Sequence, residues 1–348
     1  MIHKIEIDGF LELAKEHPIL DVRSPVEYDY AHIPGAYNLP LFSNDERKHV
    51  GSIYKQRGRK DAIKVGLRYF GVKMAGMVEQ AEKVKKEHTG TTQDNNVILH
   101  CWRGGMRSSG VAWLLDLYGF NVYVLSGGYK SFRNWALDRF TIPYPLKIIG
   151  GYTGSGKTAI LNELGIRNHK VIDLEAIACH KGSAFGGIGE VPQPSQEMFE
   201  NKLAMELHCI SADSQQEPIW IEDESRRIGS VNLPDPFWET LKCSPVYFFS
   251  IPFEQRLDYI LETYGKFKRE ELVNAIIRIQ KRLGGLNAKN AVNYLLEDNY
   301  RECFRILLHY YDKCYEKGLK EKAGLNDLLS VINTGQVDAR INVNKLLL

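Results

Sequence analysis

Gly151-Tyr152-Thr153-Gly154-Ser155-Gly156-Lys157-Thr158 is the stretch that decides the fold of the second half of the chain. It matches the pattern GxxxxGK(S/T) and lies between a predicted strand, residues 146–149, and a predicted helix, residues 159–164. Glycines at these positions let the backbone turn its N–H groups towards an anion, and the N-terminus of the helix adds partial positive charge. This stretch, called the phosphate loop below, predicts a site for a diphosphate-containing ligand without establishing ATP hydrolysis.

The phosphate loop and its surroundings supply candidate ligand-binding residues. Lys157 can reach the terminal phosphate, and the Thr158 hydroxyl is placed to hold Mg²⁺. A supporting carboxylate is expected at the end of a neighbouring strand, where Asp173 and the run Glu222-Asp223-Glu224 are the candidates. Acidic residues are common at strand ends, so the sequence does not choose between them. The predicted cradle for the phosphates consists of Gly151, Thr153, Gly154, Ser155 and Gly156.

A second loop carries a cysteine in a setting that favours its ionised form. His100-Cys101-Trp102-Arg103-Gly104-Gly105-Met106-Arg107-Ser108, called the cysteine loop below, lies between a predicted strand at 96–100 and a predicted helix at 110–115. A thiol at a helix N-terminus beside arginines has a pKa below its free value of ~8.5. We therefore predict Cys101 to be reactive, with Arg103 and Arg107 beside it. The remaining cysteines lie in apolar or helical surroundings and are predicted to be structural.

The length and the pattern of elements predict two α/β domains. A chain of 348 residues is too long for one ordinary core. Buried strands at 18–22, 96–100 and 121–125 alternate with helical stretches, which implies a parallel sheet. We assign 1–140 to a first domain with a basic insertion at 43–95, helical around 78–86. The prolines of 141–145 mark a linker, and 146–348 form a second domain, with further strands at 218–221 and 245–249 and a helical part from Phe253 onward.

Composition excludes several classes of protein. The apolar share is 44% and the charged share is 25%, which is typical of a globular protein. No apolar run approaches the ~18 residues that span a bilayer, and charges interrupt the N-terminal stretch where a signal peptide would lie. The six cysteines form no CxxC pair, so neither a zinc ribbon nor a disulfide framework is indicated. We expect a reduced, cytoplasmic protein that does not associate with membranes, and the sequence makes no prediction of its oligomeric state.

The first domain resembles rhodanese domains. The resemblance rests on Asp21-Val22-Arg23-Ser24-Pro25-Val26-Glu27-Tyr28, on His32-Ile33-Pro34-Gly35-Ala36 and on Ser126-Gly127-Gly128-Tyr129, which frame the cysteine loop in the expected order. It implies that Cys101 carries a persulfide or perselenide. Five residues separate Cys101 from Arg107, whereas sulfur-only rhodaneses generally have a shorter loop. That wider spacing, shared with cysteine phosphatases, suits a phosphate-bearing chalcogen donor.

The chain resembles the tRNA 2-selenouridine synthases over nearly its whole length. In both, a rhodanese domain is followed by a P-loop NTPase-like α/β domain with a helical C-terminal part. Supporting stretches are 50–56, 173–176, 180–186, 222–229 and 282–285. The resemblance implies a tRNA substrate with 2-thiouridine at the wobble position, selenophosphate as the selenium donor, supplied by a partner enzyme, and geranyl diphosphate as a second co-substrate. The S-geranylated base is the implied intermediate, because alkylation turns the sulfur into a better leaving group. Mg²⁺ at Thr158 is a further expectation.

Two basic stretches are candidates for contacts with tRNA phosphates. Residues 46–73 carry nine Lys or Arg, and residues 264–289 carry seven. The apolar residues Leu272, Ile276, Ile279 and Leu283 recur at helical spacing, which turns neighbouring basic residues outward. Tyr54 and Phe185 are candidates to stack on the wobble base, and the glycines around Phe185 suggest a lid or a plain surface loop. The candidate basic residues are Lys55, Arg57, Arg59, Lys60, Lys266, Lys268, Arg278, Lys281 and Arg282.

Two other functions remain open at the level of sequence. A P-loop kinase or ATPase regulated by a cysteine phosphatase-like domain would turn over nucleotides and hydrolyse an aryl phosphate without tRNA. A non-catalytic sulfur carrier or RNA-binding scaffold would need neither loop intact. His180 and His208 belong to no cluster of potential ligands in the sequence and are predicted to be ordinary hydrogen-bonding residues.

Overall fold

The structure is a computed structural model that describes residues 1–89, 94–211, 217–321 and 328–348. It divides into two compact units. The first comprises Met1–Arg139 with Glu200–Met205, and the second comprises Phe140–Phe199 with Glu206–Leu348. The short segment 200–205 belongs to a helix of the second half of the sequence, so a single cut at 141–145 does not reproduce this division.

The first unit is built on a five-stranded parallel sheet. Its strand order is β1-β5-β4-β2-β3, and every adjacent pair is parallel. The predicted strands at 18–22, 96–100 and 121–125 are confirmed as β2, β4 and β5. The strands are β1 (Ile2–Ile5), β2 (Ile19–Asp21), β3 (Tyr37–Asn38), β4 (Asn96–His100) and β5 (Asn121–Leu125).

Seven helices accompany this sheet among the described residues. The insertion is more helical than predicted, since three of them fill 44–89. A capping box starts the first of these, in which Ser43 accepts from the Glu46 N–H and Glu46 accepts from the Ser43 N–H. The helices are α1 (Ile7–Leu13), α2 (Pro25–Tyr30), α3 (Asn44–Arg57), α4 (Arg59–Gly71), α5 (Met74–Thr89), α6 (Met106–Tyr118) and α7 (Tyr129–Arg139).

The second unit is built on another five-stranded parallel sheet, with the order β12-β11-β6-β8-β7. The order reverses at the central strand β6, and ligands of open α/β sheets bind outside the carboxyl ends of strands at such a point. The strands, with the β9–β10 hairpin, are β6 (Leu146–Gly151), β7 (Val171–Ile172), β8 (Ile219–Glu222), β9 (Arg227–Ile228), β10 (Val231–Asn232), β11 (Val246–Ser250) and β12 (Leu329–Asn333).

The region after Phe253 is mostly helical, as predicted, but β12 lies within it and joins the sheet beside β11. Helix α13 buries Leu272, Ile276, Ile279 and Leu283, which confirms the predicted helical spacing. The helices are α8 (Lys157–Ile166), α9 (Leu174–Ala178), α10 (Gln196–Ser211), α11 (Asp235–Lys242), α12 (Phe253–Tyr264), α13 (Arg269–Leu283), α14 (Gly285–Leu296), α15 (Tyr300–Glu321) and α16 (Ala339–Leu346). Among the described residues, no helix combines the length and apolar character needed to cross a bilayer.

Candidate active sites

The cysteine loop follows the central strand β4 and leads into α6. Its path requires glycine at Gly128, because a Cβ there would lie 2.3 Å from the Cys101 carbonyl oxygen and 2.5 Å from the Gly104 nitrogen. The next residue fixes the loop, since the Tyr129 N–H donates to the Cys101 carbonyl at 2.8 Å. Because residues 127 and 128 are glycines, the turn that contains them can pack directly against the backbone of the cysteine loop.

Cys101 is buried, with 3% of its surface exposed, and yet its surroundings favour the thiolate. Burial alone would raise the pKa of the thiol. A hydrogen bond with the Ser108 hydroxyl, the N–H groups of Arg103 and Ser108, and the charge of Arg107 outweigh burial, so the pKa of Cys101 lies below its ordinary value. The loop thus supplies the donors that a reactive thiolate needs.

The two predicted arginines of the cysteine loop differ in their surroundings. Arg103 is exposed. Arg107 is mostly buried and forms an ion pair with Glu27, with an Nη1–Oε2 distance of 2.7 Å. Burial opposes ionisation of Glu27, but the hydrogen bond from Arg107 and its charge hold the pKa of Glu27 below the ordinary value. A phosphate that binds Arg107 must therefore compete with or displace the Glu27 carboxylate.

Asp21 and Arg23 form a buried ion pair beside the cysteine loop, and the sequence predicted no role in the site for either residue. Arg23 donates from Nη2 to Asp21 Oδ2 at 2.6 Å, and both side chains are almost fully buried. The guanidinium lies 3.9 Å from the ring centroid of Tyr129, the residue that fixes the loop. Removing one partner would leave an uncompensated buried charge. The intact pair therefore keeps Tyr129, which supports the loop, in one position.

The phosphate loop connects β6 to α8 as predicted. Lys157 donates to the Gly151 carbonyl at 3.3 Å, across the concave side of the loop. Among the described residues, the Ser155 hydroxyl is buried without a hydrogen-bond partner. Gly154 and Gly156 have φ angles of 81° and 72°, which favour glycine. The two glycines therefore set the path of the loop, and Ser155 retains an unused donor.

Arg256 of α12 anchors the phosphate loop, and no motif in the sequence pointed to this role. Its Nη1 donates to the Thr153 carbonyl at 3.0 Å, and the guanidinium forms a two-pronged pair with Asp312 of α15 at 2.8 Å for both bonds. Only 3% of Arg256 is exposed. Since an arginine buried this deeply must keep its partners, the phosphate loop is fixed to the helical part of the unit.

Three carboxylates lie together beside Thr158. Glu175, Glu222 and Glu224 each place one oxygen within 4.8 Å of the others, and we call them the carboxylate cluster. Thr158 Oγ1 donates to Glu175 Oε2 at 3.3 Å. Among the described residues, Glu222 Oε1 is buried without a hydrogen-bond partner.

Burial and mutual repulsion disfavour the charged forms within the carboxylate cluster. Burial, then the charge of Glu224, raises the pKa of Glu175 to about 8, while Lys157 opposes the shift. Burial and the charge of Glu175 raise the pKa of Glu222 to about 8, and burial raises that of Glu224 to about 7. A divalent cation relieves this repulsion, and clustered carboxylate oxygens with a hydroxyl suit Mg²⁺. These residues fit the expected ion.

The cluster differs from the predicted set of carboxylates. Glu222 and Glu224, which were both candidates from the sequence, belong to the cluster. Asp173 instead caps α9, where it accepts from the Ala176 N–H at 2.8 Å, and Asp223 accepts from the Tyr315 hydroxyl at 2.5 Å. Glu175 was missed, although it follows Asp173 by only two residues.

The predicted basic residues are exposed in both units. On α4, Arg59 contacts the sulfur of Met106 at 3.7 Å, and Met106 is both part of the cysteine loop and the first residue of α6. Tyr54 is 54% exposed, whereas Phe185 is 4% exposed and packs in an apolar cluster, so Phe185 is not free to stack on a base. Neither His180 nor His208 belongs to the carboxylate cluster.

The cysteines only partly match the prediction. Cys303 is buried in the apolar cluster of the helical part, as expected of a structural residue. Cys209, Cys243 and Cys314 are exposed, so they are not core residues, and the prediction that they are structural stays a prediction for these three. A helical context in the sequence does not say which face of the helix carries the residue.

These folds and loops define a two-domain protein, with a rhodanese-like parallel α/β domain followed by a P-loop α/β domain. A model of the rhodanese-like domain matches residues 8–134, and a model described as the tRNA 2-selenouridine synthase AAA domain matches residues 144–337. The chain belongs to the tRNA 2-selenouridine synthase family.

Curated relatives carry the same family name. The tRNA 2-selenouridine synthase of Bdellovibrio bacteriovorus is 34% identical over 88% of this chain and 89% of its own length. That of Nitrosomonas europaea is 41% identical over 71% of this chain, and the match spans 63% of the relative's length. The crystal structure of a rhodanese-related protein from Thermoplasma volcanium matches with 20% identity and a TM-score of 0.21, covering 37% of this chain and 88% of that one.

Proposed function

We propose that this protein is a tRNA-modifying transferase that replaces sulfur by selenium in 2-thiouridine at the wobble position. The reaction passes through S-geranyl-2-thiouridine, with geranyl diphosphate as the prenyl donor and selenophosphate as the selenium donor. The observation that carries the proposal is the presence of two different anion-binding loops on one chain. One surrounds a buried cysteine whose thiolate is favoured, and the other is a phosphate loop beside three carboxylates.

The phosphate loop supports the prenylation step. The base sulfur attacks the first carbon of the geranyl group, the carbon–oxygen bond breaks, and diphosphate leaves with the electron pair. Lys157 lies across the loop and neutralises charge on the departing diphosphate. Thr158 and the carboxylate cluster would hold Mg²⁺, which would further stabilise that charge.

The cysteine loop supports the selenium step. Its inward N–H groups, together with Arg107 once it is released from Glu27, suit the phosphate of selenophosphate. The Cys101 thiolate attacks the phosphorus of selenophosphate and breaks the selenium–phosphorus bond, which delivers selenium as selenide, and water then hydrolyses the phosphocysteine to free thiol and phosphate. The selenide attacks the C2 carbon of the geranylated base, the carbon–sulfur bond breaks, and the sulfur takes up a proton and leaves as geranyl thiol. The exposed basic side chains of α3, α4 and α13 supply contacts to tRNA phosphates.

Mass spectrometry of nucleosides tests the proposal. The full chain is incubated with thiolated tRNA and geranyl diphosphate, with or without selenophosphate. We expect S-geranyl-2-thiouridine without selenophosphate and 2-selenouridine with it. Hydrolysis of ATP and of an aryl phosphate in the absence of tRNA, with the nucleoside unchanged, would instead support a kinase or ATPase with a regulatory phosphatase domain.

A further inference from the structure

The cysteine loop presents two large apolar side chains to solvent. Trp102, which directly follows Cys101, is 38% exposed, and Met106, where the loop enters α6, is 53% exposed. A loop that served only a small anion such as selenophosphate would need its inward N–H donors and no apolar surface around them. Two exposed apolar side chains on the same short loop therefore indicate a second ligand, with a less polar surface, at this place.

Trp102 is held from behind by the buried residues that support the loop. The ring centroids of Trp102 and Tyr129 lie 5.5 Å apart, and Tyr129 is fully buried. The Arg23 guanidinium carbon lies 5.8 Å from the Trp102 ring centroid. The backbone is fixed as well, since the Trp102 carbonyl accepts from the Lys130 N–H at 3.0 Å. The exposed part of the indole is thus a preorganised surface, and a ligand that binds there loses little free energy to ordering the side chain.

Positive charge accompanies this apolar surface. Arg103 of the loop is exposed. Arg59 of α4 is also exposed, and its Nη2 lies 3.7 Å from the sulfur of Met106. Proteins bind unpaired nucleotides with this combination, because the base stacks on an aromatic face while the backbone phosphates contact the cations. The charges therefore favour a nucleotide over a purely apolar ligand.

The proposed chemistry requires a base beside this loop. Selenide is released at Cys101 and must meet the C2 carbon of the base before it diffuses into solvent. Consecutive Cα atoms are about 3.8 Å apart, so the indole of Trp102 belongs to the residue next to the nucleophile. Tyr54, an exposed aromatic candidate from the sequence, instead belongs to α3. A base stacked on Trp102 is therefore placed where selenide is formed.

We propose that Trp102 stacks on the base of the wobble nucleotide during the selenium step, while Arg59 and Arg103 contact the flanking phosphates. This inference rests on the proposed function and adds the residue that places the base at the cysteine loop. Trp102 exchanges no proton or electron pair with the substrate. It holds the C2 carbon within reach of the selenide, and the bond-breaking chemistry belongs to Cys101.

Binding of anticodon stem-loop RNA to the full chain tests the inference. One RNA carries S-geranyl-2-thiouridine at the wobble position, and a second RNA carries an abasic nucleotide there. Trp102→Ala should weaken binding of the first RNA by about tenfold or more, since one base–aromatic stack is lost, and should leave binding of the abasic RNA within about twofold. Trp113→Ala on α6, where the tryptophan is 51% exposed, is the matched control and should change neither.

Two further variants separate stacking from apolar contact. Phenylalanine and leucine both keep an apolar side chain against Tyr129, but only phenylalanine keeps a flat ring. Trp102→Phe should therefore bind the geranylated RNA within about threefold of wild type, whereas Trp102→Leu should bind it as weakly as Trp102→Ala. Selenation of pre-geranylated tRNA should follow the same order in kcat/KM.

Alkylation of Cys101 by iodoacetamide checks that the loop itself is intact. The rate, measured by mass spectrometry of the peptide that contains Cys101, should stay within about twofold of wild type in the Trp102→Phe and Trp102→Leu variants. Alkylation that slows as much as RNA binding weakens would show that Trp102 acts by shaping the loop, and would reject the stack.

The remaining outcomes separate this inference from the proposed function. Equal weakening of both RNAs by Trp102→Ala would overturn the inference, because the lost contact would not involve the base. Wild-type affinity in Trp102→Leu would also overturn it, since apolar contact with the geranyl chain would then suffice. Loss of base-dependent affinity in Tyr54→Ala but not in Trp102→Ala would place the stack on α3 instead. The proposed function fails separately, if wild-type protein makes no 2-selenouridine from pre-geranylated tRNA and selenophosphate.

Discussion

The hydroxyl oxygen of Ser108 lies 3.2 Å from the sulfur of Cys101. The same hydroxyl donates to the Gly105 carbonyl at 2.9 Å, so its single proton has two possible acceptors. When Cys101 is a thiol, its own proton can point to Ser108. When Cys101 is ionised, the Ser108 proton can turn to the sulfur and stabilise the charge. Ser108 is therefore a positioning residue for the thiolate.

Replacing Ser108 by Ala should make Cys101 harder to ionise. Loss of one charge-assisted hydrogen bond removes stabilisation of the thiolate, so the pKa of Cys101 rises and the thiolate fraction at neutral pH falls. We expect alkylation by iodoacetamide at pH 7 to slow by about tenfold and the pH–rate profile to move to higher pH. Ser109→Ala is the matched control, since Ser109 hydrogen-bonds the same Gly105 carbonyl at 3.3 Å. Identical profiles for Ser108→Ala and wild type would contradict this role.

Replacing Cys101 by Ala should separate the two proposed steps. Selenation should be lost, while geranylation, which depends on the other loop, should continue within about twofold of the wild-type rate. Nucleoside analysis by mass spectrometry measures both products in one sample. Cys243→Ala, at an exposed cysteine of the second unit, is the control. Equal loss of both products in Cys101→Ala protein that still binds tRNA would refute the division of labour.

Replacing Lys157 by Ala should have the opposite effect. Without the ammonium group, charge on the departing diphosphate is less well stabilised, and geranylation should slow by about a hundredfold or more. Selenation of tRNA that already carries S-geranyl-2-thiouridine should be retained. Lys242→Ala on α11 removes a surface lysine that pairs with Glu239 and serves as the control. Loss of selenation on the pre-geranylated substrate would show that Lys157 acts in both steps.

Both loops were predictable from sequence because each is one continuous stretch between a strand and a helix. The supporting residues were not, since they depend on tertiary contacts. Arg256 reaches the Thr153 carbonyl from a position 103 residues away. Glu175 enters the carboxylate cluster, whereas Asp173, two residues earlier, turns to cap α9. Asp173 is the N-cap of α9 and Glu175 lies in its first turn, so the two carboxylates have different partners.

Phe185 and β12 show a second limit of sequence reasoning. The glycines beside Phe185 suggested a mobile lid, but the ring is buried among the helices that follow. Strand β12 lies at the edge of its sheet, and its side chains follow no strict burial alternation. A short strand of that kind within a long helical region gives little periodic signal.

Removing positive charge from the end of α3 and the start of α4 should weaken tRNA binding in a salt-dependent manner. Arg57→Gln combined with Lys60→Gln deletes two exposed cations. If both contact phosphates, the slope of log affinity against log salt should decrease in magnitude by about two. Binding of unmodified and thiolated tRNA should weaken by a similar factor, because phosphate contacts do not read the base. Lys83→Gln on α5, where the lysine is 74% exposed, is the control. An unchanged slope would place the tRNA elsewhere.

The carboxylate cluster should make the metal-free protein less stable as pH rises. The pKa values of Glu175 and Glu222 are raised to about 8 in the folded chain, above the ~4.3 of an unfolded glutamate. Between these values the folded state binds more protons, so its stability decreases with pH and levels off above about 8. Thermal unfolding in EDTA should show Tm falling from pH 5 to pH 8, and Mg²⁺ should raise Tm most at pH 8, where the ligands are ionised. Glu222→Gln should flatten both trends, whereas Glu239→Gln at a surface position should not. A Mg²⁺ effect on Tm that is equal at pH 5 and pH 8 would reject the cluster as the metal site.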